Sequence, residues 1–410
     1  MKILYLSQYF PPEIGATQTR AYEMAVNFVK LGHKVTVMTE TPNHPLGIIF
    51  DGYKNKLRFI EHMDGIEVIR SWVYTNPIKR FYSRILFYTS YMITTILNSI
   101  FLRNKYDIVF ATSPPLFVGL AGFIISRIKK IPFILEVRDL WPESAVVLGE
   151  LRNPYFIKIS IAIAELLYKK AEKIVAVTMG IYNHLLNKSY ISNKKLYFIP
   201  NGANIELYKP GKKDVELLNS LGIKNSHFLV LYTGVHGLIH GLEAIIKAAD
   251  ILKNNKVDFV FIGDGVKKKG IIRLAKNYFL KNVTFLNSIP ENLLVKYIQS
   301  CDAGIATTIK SELCKGTLPV KMFSYMACAK PVILGVDGEA RRIIENANAG
   351  LYVEPENPKD IAKAILTLKE NPDLCKTMGE NGRIYVEKYH SRSKLARKLE
   401  RCFLSVIKPS

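Results

Sequence analysis

The sequence predicts an α/β protein of two doubly wound halves, each a parallel sheet with helices on both faces. Short apolar runs alternate with amphipathic stretches along all 410 residues, the rhythm of strands joined by crossover helices. The runs form two series, parted at 199–213 by IPNGANIELYKPGKK, where Gly, Pro and Asn concentrate as they do in linkers. Sheets of this kind hold ligands outside the carboxyl ends of their strands, so a cleft between the halves is expected.

The first series opens with buried strands at 2–7 and 34–39 (KVTVMT), flanking a helix over roughly 18–32 that stops at Gly32. Strands are expected next at 66–71, 107–111, 132–137, 174–177 and 196–199. The second series runs 228–233 (FLVLYT), 257–262 (VDFVFI), 283–286, 303–306 and 331–334. A basic helical stretch at roughly 385–408 closes the chain. The expected domains are therefore 1–204, 205–385 and a terminal helix over 386–410.

One segment departs from this rhythm. ILFYTSYMITTILNSIFL, residues 85–102, has no charge in 18 residues and is bracketed by Lys79, Arg80, Arg84, Arg103 and Lys105. Its length approaches that of a membrane span. Its Thr, Ser, Asn and Tyr residues and its place inside a soluble half argue against spanning. It reads either as a buried helix or as one lying on a membrane surface, and the basic flanks favour the surface.

Lys and Arg number 57 against 35 Asp and Glu, a formal charge of +22, which favours an anionic partner. Nucleic acid is disfavoured, because the basic residues are scattered and no zinc-finger, RNP or homeodomain pattern accompanies them. An anionic membrane surface or a phosphorylated substrate remains. The five cysteines, Cys301, Cys314, Cys328, Cys375 and Cys402, show no CxxC or Cys/His spacing. That pattern suits a reduced cytoplasmic protein without a bound metal. MKILYLSQYF is too short an apolar run for a signal peptide and reads as the first strand.

The turns carry the candidate chemistry. YFPPEIGATQTR, 9–20, offers one glycine, Gly15, where dinucleotide binding would need G-x-G-x-x-G, so nicotinamide chemistry is disfavoured. LYTGVHGLIHGLEAII, 231–246, places Gly234, Gly237 and Gly241 between a strand and a helix, with His236 and His240 as possible donors. Glycines there let backbone amides approach a phosphate at the positive end of a helix. FIGDGVKKK at 261–269 is a third strand-end turn, and EVRDLWPESA puts Arg138 and Asp139 at another. An ordinary structural ion pair is the plain alternative for those two. In CKGTLPVKMFSYMACAKPVI, Pro319 suits the first turn of a helix. Lys321 in that turn opposes the macrodipole unless an anion sits there. Asp-x-Asp, HExxH, GxSxG and P-loop patterns are missing, so a metal-free enzyme would neutralise phosphate with helix termini and Lys or Arg.

These stretches, with NFVKLGHKVTVMTETPNHPLG, ATSPPLFVGLAG, VTMGI and IPNGAN, resemble family 4 glycosyltransferases of the GT-B fold, specifically the WbuB-like group. The likeness covers nearly the whole chain in the expected order. It implies two Rossmann-like domains with an interdomain cleft, an acceptor site in the first and a nucleotide-sugar site in the second. It further implies retaining transfer without a metal or other cofactor. The donor would carry an N-acetylated amino or deoxyamino sugar, with a lean to uridine. The acceptor would be a lipid-linked saccharide at the cytoplasmic face of the membrane, bound for O-antigen or capsule.

By this resemblance Gly15 faces the donor phosphates, Gly234 and Gly237 form the phosphate turn, and Ile289 meets the nucleobase. Lys321 takes the diphosphate, and Arg138 and Asp139 fall near the reacting centre. The family's two glutamates, for donor sugar and ribose, would fall at Gly316 and Ser324, and neither is acidic. A serine supplies part of such a contact, and Glu312 or Glu339 is expected to compensate. Two rival readings follow from the same features: a non-catalytic partner subunit that binds membrane or nucleotide, and a nucleotide-sugar 2-epimerase.

Overall fold

The computed structural model describes residues 1–78, 81–147, 149 and 151–407. They fall into two compact units, one of 1–200 with 393–410 and one of 201–392. Lys79 and Arg80, two of the basic flanks noted above, lie outside the described residues.

In unit 1 the strands are β1 (Lys2–Leu6), β2 (Lys34–Glu40), β3 (Arg58–Met63), β4 (Ile66–Ser71), β5 (Ile108–Ser113), β6 (Phe133–Val137), β7 (Lys173–Ala176) and β8 (Leu196–Phe198). Among the described residues they form one sheet in the order β3-β4-β2-β1-β5-β6-β7-β8. All neighbours are parallel except β3, which pairs antiparallel with β4, Arg58 opposite Ser71. Its helices are α1 (Ala16–Lys30), α2 (Phe81–Ile100), α3 (Leu116–Lys129), α4 (Glu143–Val147), α5 (Pro154–Lys170) and α6 (Met179–Leu186).

The continuous apolar strands follow from burial on both faces. Along β1, Leu4 and Leu6 enter the core under α2, α3 and α5, while Ile3 and Tyr5 enter the core that also holds Phe28 of α1. The chain ends α1 at Lys30, and Gly32 follows at φ +84, a left-handed value that suits glycine after a helix.

Unit 2 carries β9 (Phe228–Thr233), β10 (Val257–Ile262), β11 (Val283–Leu286), β12 (Ala303–Thr307), β13 (Val332–Gly335) and β14 (Gly350–Tyr352). The sheet is parallel throughout, in the order β11-β10-β9-β12-β13-β14. Its helices are α7 (Val215–Ser220), α8 (Leu242–Ile251), α9 (Lys268–Asn277), α10 (Glu291–Ser300), α11 (Val320–Ala327), α12 (Glu339–Ala347), α13 (Pro358–Glu370) and α14 (Pro372–Tyr385). The last helix, α15 (Arg392–Leu404), packs into unit 1, where Phe403 meets Phe28 and Phe110 at 5.2 and 5.1 Å between ring centres.

The units divide at 200 and 392 rather than at 204 and 386, for a local reason. Ala203 and Arg392 exchange backbone contacts, with Ala203 N–H donating to His390 and Arg392 N–H to Ala203. Arg392 Nη2 also donates to the Gly202 carbonyl at 2.7 Å. These bonds hold 201–203 and 390–392 in one unit. Strands β3 and β14 were not anticipated from sequence. The first alternates half-exposed residues at an edge, and the second has three residues.

Candidate active site

Unit 2 brings most of the candidate residues together at the carboxyl end of β9. The buried run FLVLYT ends at Thr233, and Gly234 turns the chain at φ +111. Its amide donates to Ile262 at the end of β10, at 2.8 Å. The facing turn is IGDG. A side chain on Gly263 would begin 1.9 Å from the Gly234 carbonyl oxygen, so the two turns touch backbone to backbone. His236 N–H then donates to Asp264, and Lys267 N–H donates back to His236.

Lys268 ties this layer together. Its ammonium lies at 2.7–3.0 Å from the carbonyls of Gly263 and Leu286 and the side-chain oxygens of Asp264 and Asn287. Asp264 Oδ2 accepts from the Ser288 amide at 2.9 Å, which fixes the loop bearing Ile289. Ile289 itself is half-buried against the core.

Lys321 is the opposite case. It stands in the first turn of α11, whose N-cap is Pro319 and whose first turn holds no acid and no side-chain cap. The residue is half-buried, yet its Nζ is sealed from solvent and has no hydrogen-bond partner among the described residues. It sits 3.6 Å over the centre of the Tyr232 ring. A side chain on Gly234 would begin 3.5 Å from it. Burial drives its pKa down to about 7.

Both ring nitrogens of buried His236, and Nδ1 of His240, also lack partners. Burial pushes each histidine down to about 4, helped by the charges of Lys268 and Lys321 at His236 and of Lys321 at His240. Gly237 accepts from the His240 amide in the same turn. The Lys321 ammonium, the ring nitrogens of His236 and His240 and the start of α11 therefore converge beside the Gly234 turn, and the Lys321 ammonium has no acceptor among the described residues. Such an arrangement is stabilised by an anion.

Ser324 lies one turn further along α11, 9% exposed. A Cβ added at Gly316 would meet nothing within 4 Å, so no neighbour bars a side chain from starting there. Of the two proposed substitutes, Glu312 is exposed and paired with Lys315 at 2.6 Å. Glu339 is buried in the first turn of α12, beside the turn Leu313–Gly316.

Gly15, Arg138 and Asp139 belong to unit 1. Gly15 is the uncapped N-cap of α1. Arg138 Nη2 donates to Thr17 Oγ1 at 2.9 Å, so this guanidinium and the Gly15 turn are neighbours. Asp139 accepts from Ser144 at 2.9 Å, and burial raises its carboxyl above the usual range. Both line a cavity of ≈ 220 Å³ with Tyr9, Tyr88, Phe117 and Trp141. A cavity of ≈ 310 Å³ adjoins it through Tyr9, Arg84 and Tyr88.

Sequence reading missed Tyr232, which looks like an ordinary strand residue, and the buried carboxyl pair Glu13 and Glu40. Glu13 Oε1 accepts the amides of Asn43 and His44, each at 2.8 Å. Glu40 accepts from Gln8 and Asn43. Burial raises both carboxyls, and the charge of Glu13 raises Glu40 further. No spacing rule links residues 13 and 40. Gly263 and Gly265 belong to the FIGDGVKKK turn that the sequence marks at a strand end. Among the described residues no cluster of His, Cys, Asp and Glu is arranged to hold a metal ion.

Comparison with known proteins agrees with this layout. Residues 15–202 match the family described as glycosyl transferase 4-like domain, and 215–385 match glycosyl transferases group 1. The chain is 22% identical over 414 residues to uncharacterized glycosyltransferase MJ1069 of Methanocaldococcus jannaschii, covering 99% of each chain. It is 22% identical over 384 residues to the putative colanic acid biosynthesis glycosyl transferase WcaI of Escherichia coli, covering 90% of this chain and 94% of that one. The solved structure of HepE from Anabaena, in complex with UDP and glucose, superposes with a TM-score of 0.74 at 17% identity, over 99% of this chain and 100% of that one. The doubly wound units, the family matches spanning both and the shared GT-B architecture make this chain a glycosyltransferase of the family 4 type.

Proposed function

We propose that this enzyme transfers a sugar from a UDP-linked donor to a lipid-linked saccharide, with retention of anomeric configuration and without a metal. The sugar is an N-acetylated amino or deoxyamino hexose, and the product enters an O-antigen- or capsule-type glycan, the WbuB-like role. The protein works at the inner face of the cell membrane, peripherally attached through roughly 79–105. HepE, solved with UDP, and WcaI, described for colanic acid biosynthesis, support the donor and the glycan class.

The observation that carries the reading is Lys321: a sealed, unpartnered ammonium at a helix start, against a glycine turn. In the proposed reaction the bond from the anomeric carbon to the diphosphate breaks as the acceptor oxygen bonds to that carbon on the same face. The departing phosphate oxygen takes the acceptor proton. The Lys321 ammonium, the amides of Val235, Gly237, Val320 and Lys321, and the His236 ring receive the charge that develops on the diphosphate. This is stabilisation by donors already in place, the term that dominates many enzymes. Gly15, Arg138 and Asp139 are assigned to the donor phosphates and the reacting centre, Ile289 to the base and Ser324 to the ribose.

Lys321→Ala is expected to cut turnover by ~100-fold or more, as loss of one such donor does. Turnover within tenfold of wild type, measured with a UDP-sugar panel and membrane extract, would remove Lys321 from this role.

A further inference from the structure

Helix α2 does not bury its whole surface. Tyr82, Leu86, Ile93, Leu97 and Ile100 are each more than half exposed. At 100° per residue they fall within one narrow arc, a stripe about 27 Å long. No helix among the described residues is long and apolar enough to cross a membrane, so this stripe is a surface feature.

The same pattern recurs two helices away. Helix α5 packs on α3 and α3 on α2, all on one face of the unit 1 sheet. On α5, Tyr155, Ile159 and Leu166 form a second exposed stripe, and Lys158, Lys169 and Lys170 flank it on both sides. Arg127 and Lys130 close the end of α3, and Arg103 and Lys105 follow α2, all exposed. Helices α2 and α3 contain no Asp or Glu, and α5 has only Glu165, which pairs with Lys169 at 3.5 Å.

Charge alone does not single out this face, since α15 on the other side of the sheet is also basic, with Lys394 and Arg397 exposed. What separates the two is the apolar stripe, missing from α15. Two apolar stripes on neighbouring helices, with cations beside or beyond them and nearly free of acids, match an anionic bilayer, with aliphatic side chains at the acyl boundary and lysines at the headgroups. A protein partner of opposite charge would meet the lysines but leave a stripe of isoleucine and leucine to be covered as well.

We propose that α2, α3 and α5 together form a docking face for an anionic phospholipid bilayer, with the lysines of α5 as a second contact beside α2. This rests on the membrane-facing role proposed above and extends it from one segment to a three-helix surface. It also gives the cavities a setting: Ser83, Arg84, Phe87 and Tyr88, from the first turns of α2, line them. An amphiphilic acceptor would reach them from the edge of the face.

The test is sedimentation of the full chain with phosphatidylcholine vesicles, with and without 30% phosphatidylglycerol as roughly the anionic share that attracts basic segments. Binding is expected only with phosphatidylglycerol. Lys158→Glu with Lys170→Glu should weaken it tenfold or more, and so should Leu97→Ser with Ile100→Ser. Lys394→Glu with Arg397→Glu, an equal change of charge on α15, should leave it within twofold. Equal loss from the α15 pair would reduce the effect to general basicity and overturn the face. So would retention by the α5 pair, or stripe variants that change only self-association of the protein. Calorimetric titration with UDP on the same variants keeps the two questions apart: unchanged UDP affinity with lost vesicle binding isolates the docking face, and absent UDP affinity in wild type would sink the donor site instead.

Discussion

Unit 1 and unit 2 both bury a cation near a strand end, and they treat it in opposite ways. In unit 1, Arg20 is sealed and fully answered. Its guanidinium donates twice to Glu136 Oε1 at 2.7 and 3.1 Å and to the carbonyls of Pro200 and Ile199 at 2.9 and 3.0 Å. Glu136 Oε2 accepts from Thr112 at 2.8 Å. Burial alone would raise the Glu136 carboxyl, but Arg20 holds it below the usual value. In unit 2, Lys321 has an aromatic face beneath it and no acceptor. A satisfied buried charge holds a fold together, whereas an unsatisfied one stores free energy that a ligand can release. Lys268, with its four acceptors close to Lys321, shows that the contrast is a matter of partners and not of which unit holds the cation.

The largest expected effect comes from breaking the satisfied pair. Arg20→Met leaves Glu136 charged and buried without its ion-pair partner, held only by Thr112 and the charge of Arg138, and should destabilise the protein by ~3–5 kcal/mol in urea unfolding. Lys321→Met should do the reverse, folding at least as stably as wild type while losing affinity for UDP. A destabilisation of more than ~1 kcal/mol would show that Lys321 is structural after all.

The pH dependence sharpens this. An unfolded lysine keeps its proton to about pH 10.4, and the folded Lys321 only to about 7. Between those values the unfolded chain binds more protons, so stability rises with pH across that window. The melting advantage of Lys321→Met should therefore be greatest near pH 7 and close toward pH 10. His236 behaves likewise at lower pH: its folded value of about 4 lies below an ordinary histidine, so stability is lost as pH falls from ~6.5 toward 4. His236→Phe should flatten that acid limb in a series of melting curves.

A proton count on binding is a finer probe. A diphosphate beside Lys321 favours its charged form, so UDP should bind with proton uptake at pH 8, read by calorimetry in buffers of different ionisation enthalpy. The uptake should vanish in Lys321→Met. The smallest effect expected is at the missing carboxylates. Ser324→Glu should tighten UDP binding by about tenfold, the low end of a charge-assisted contact. Unchanged or weaker binding would show that the ribose is held elsewhere.

Much of this was legible in sequence. Apolar runs marked the parallel strands because both faces of each sheet are covered, which removes the alternation that solvent would impose. Gly234 and Lys321 were visible because a left-handed turn and a cation in the first turn of a helix each violate a local preference. RFIEHM escaped notice because an antiparallel edge strand needs only a partly apolar face. Tyr232 and the Glu13–Glu40 pair escaped because their meaning comes from neighbours distant in the chain. The boundaries at 200 and 392 are set by backbone bonds between 201–203 and 390–392, which composition does not reveal.

The sealed ammonium of Lys321 has a chemical corollary. An amine that gives up its proton near neutral pH is a nucleophile under conditions where ordinary lysines are inert. Because its surroundings favour anions, a small aldehyde carrying a phosphate would be drawn to it and form an imine there. Reduction with borohydride would then leave a permanent mark on one lysine, and occupancy of the site by nucleotide would shield it.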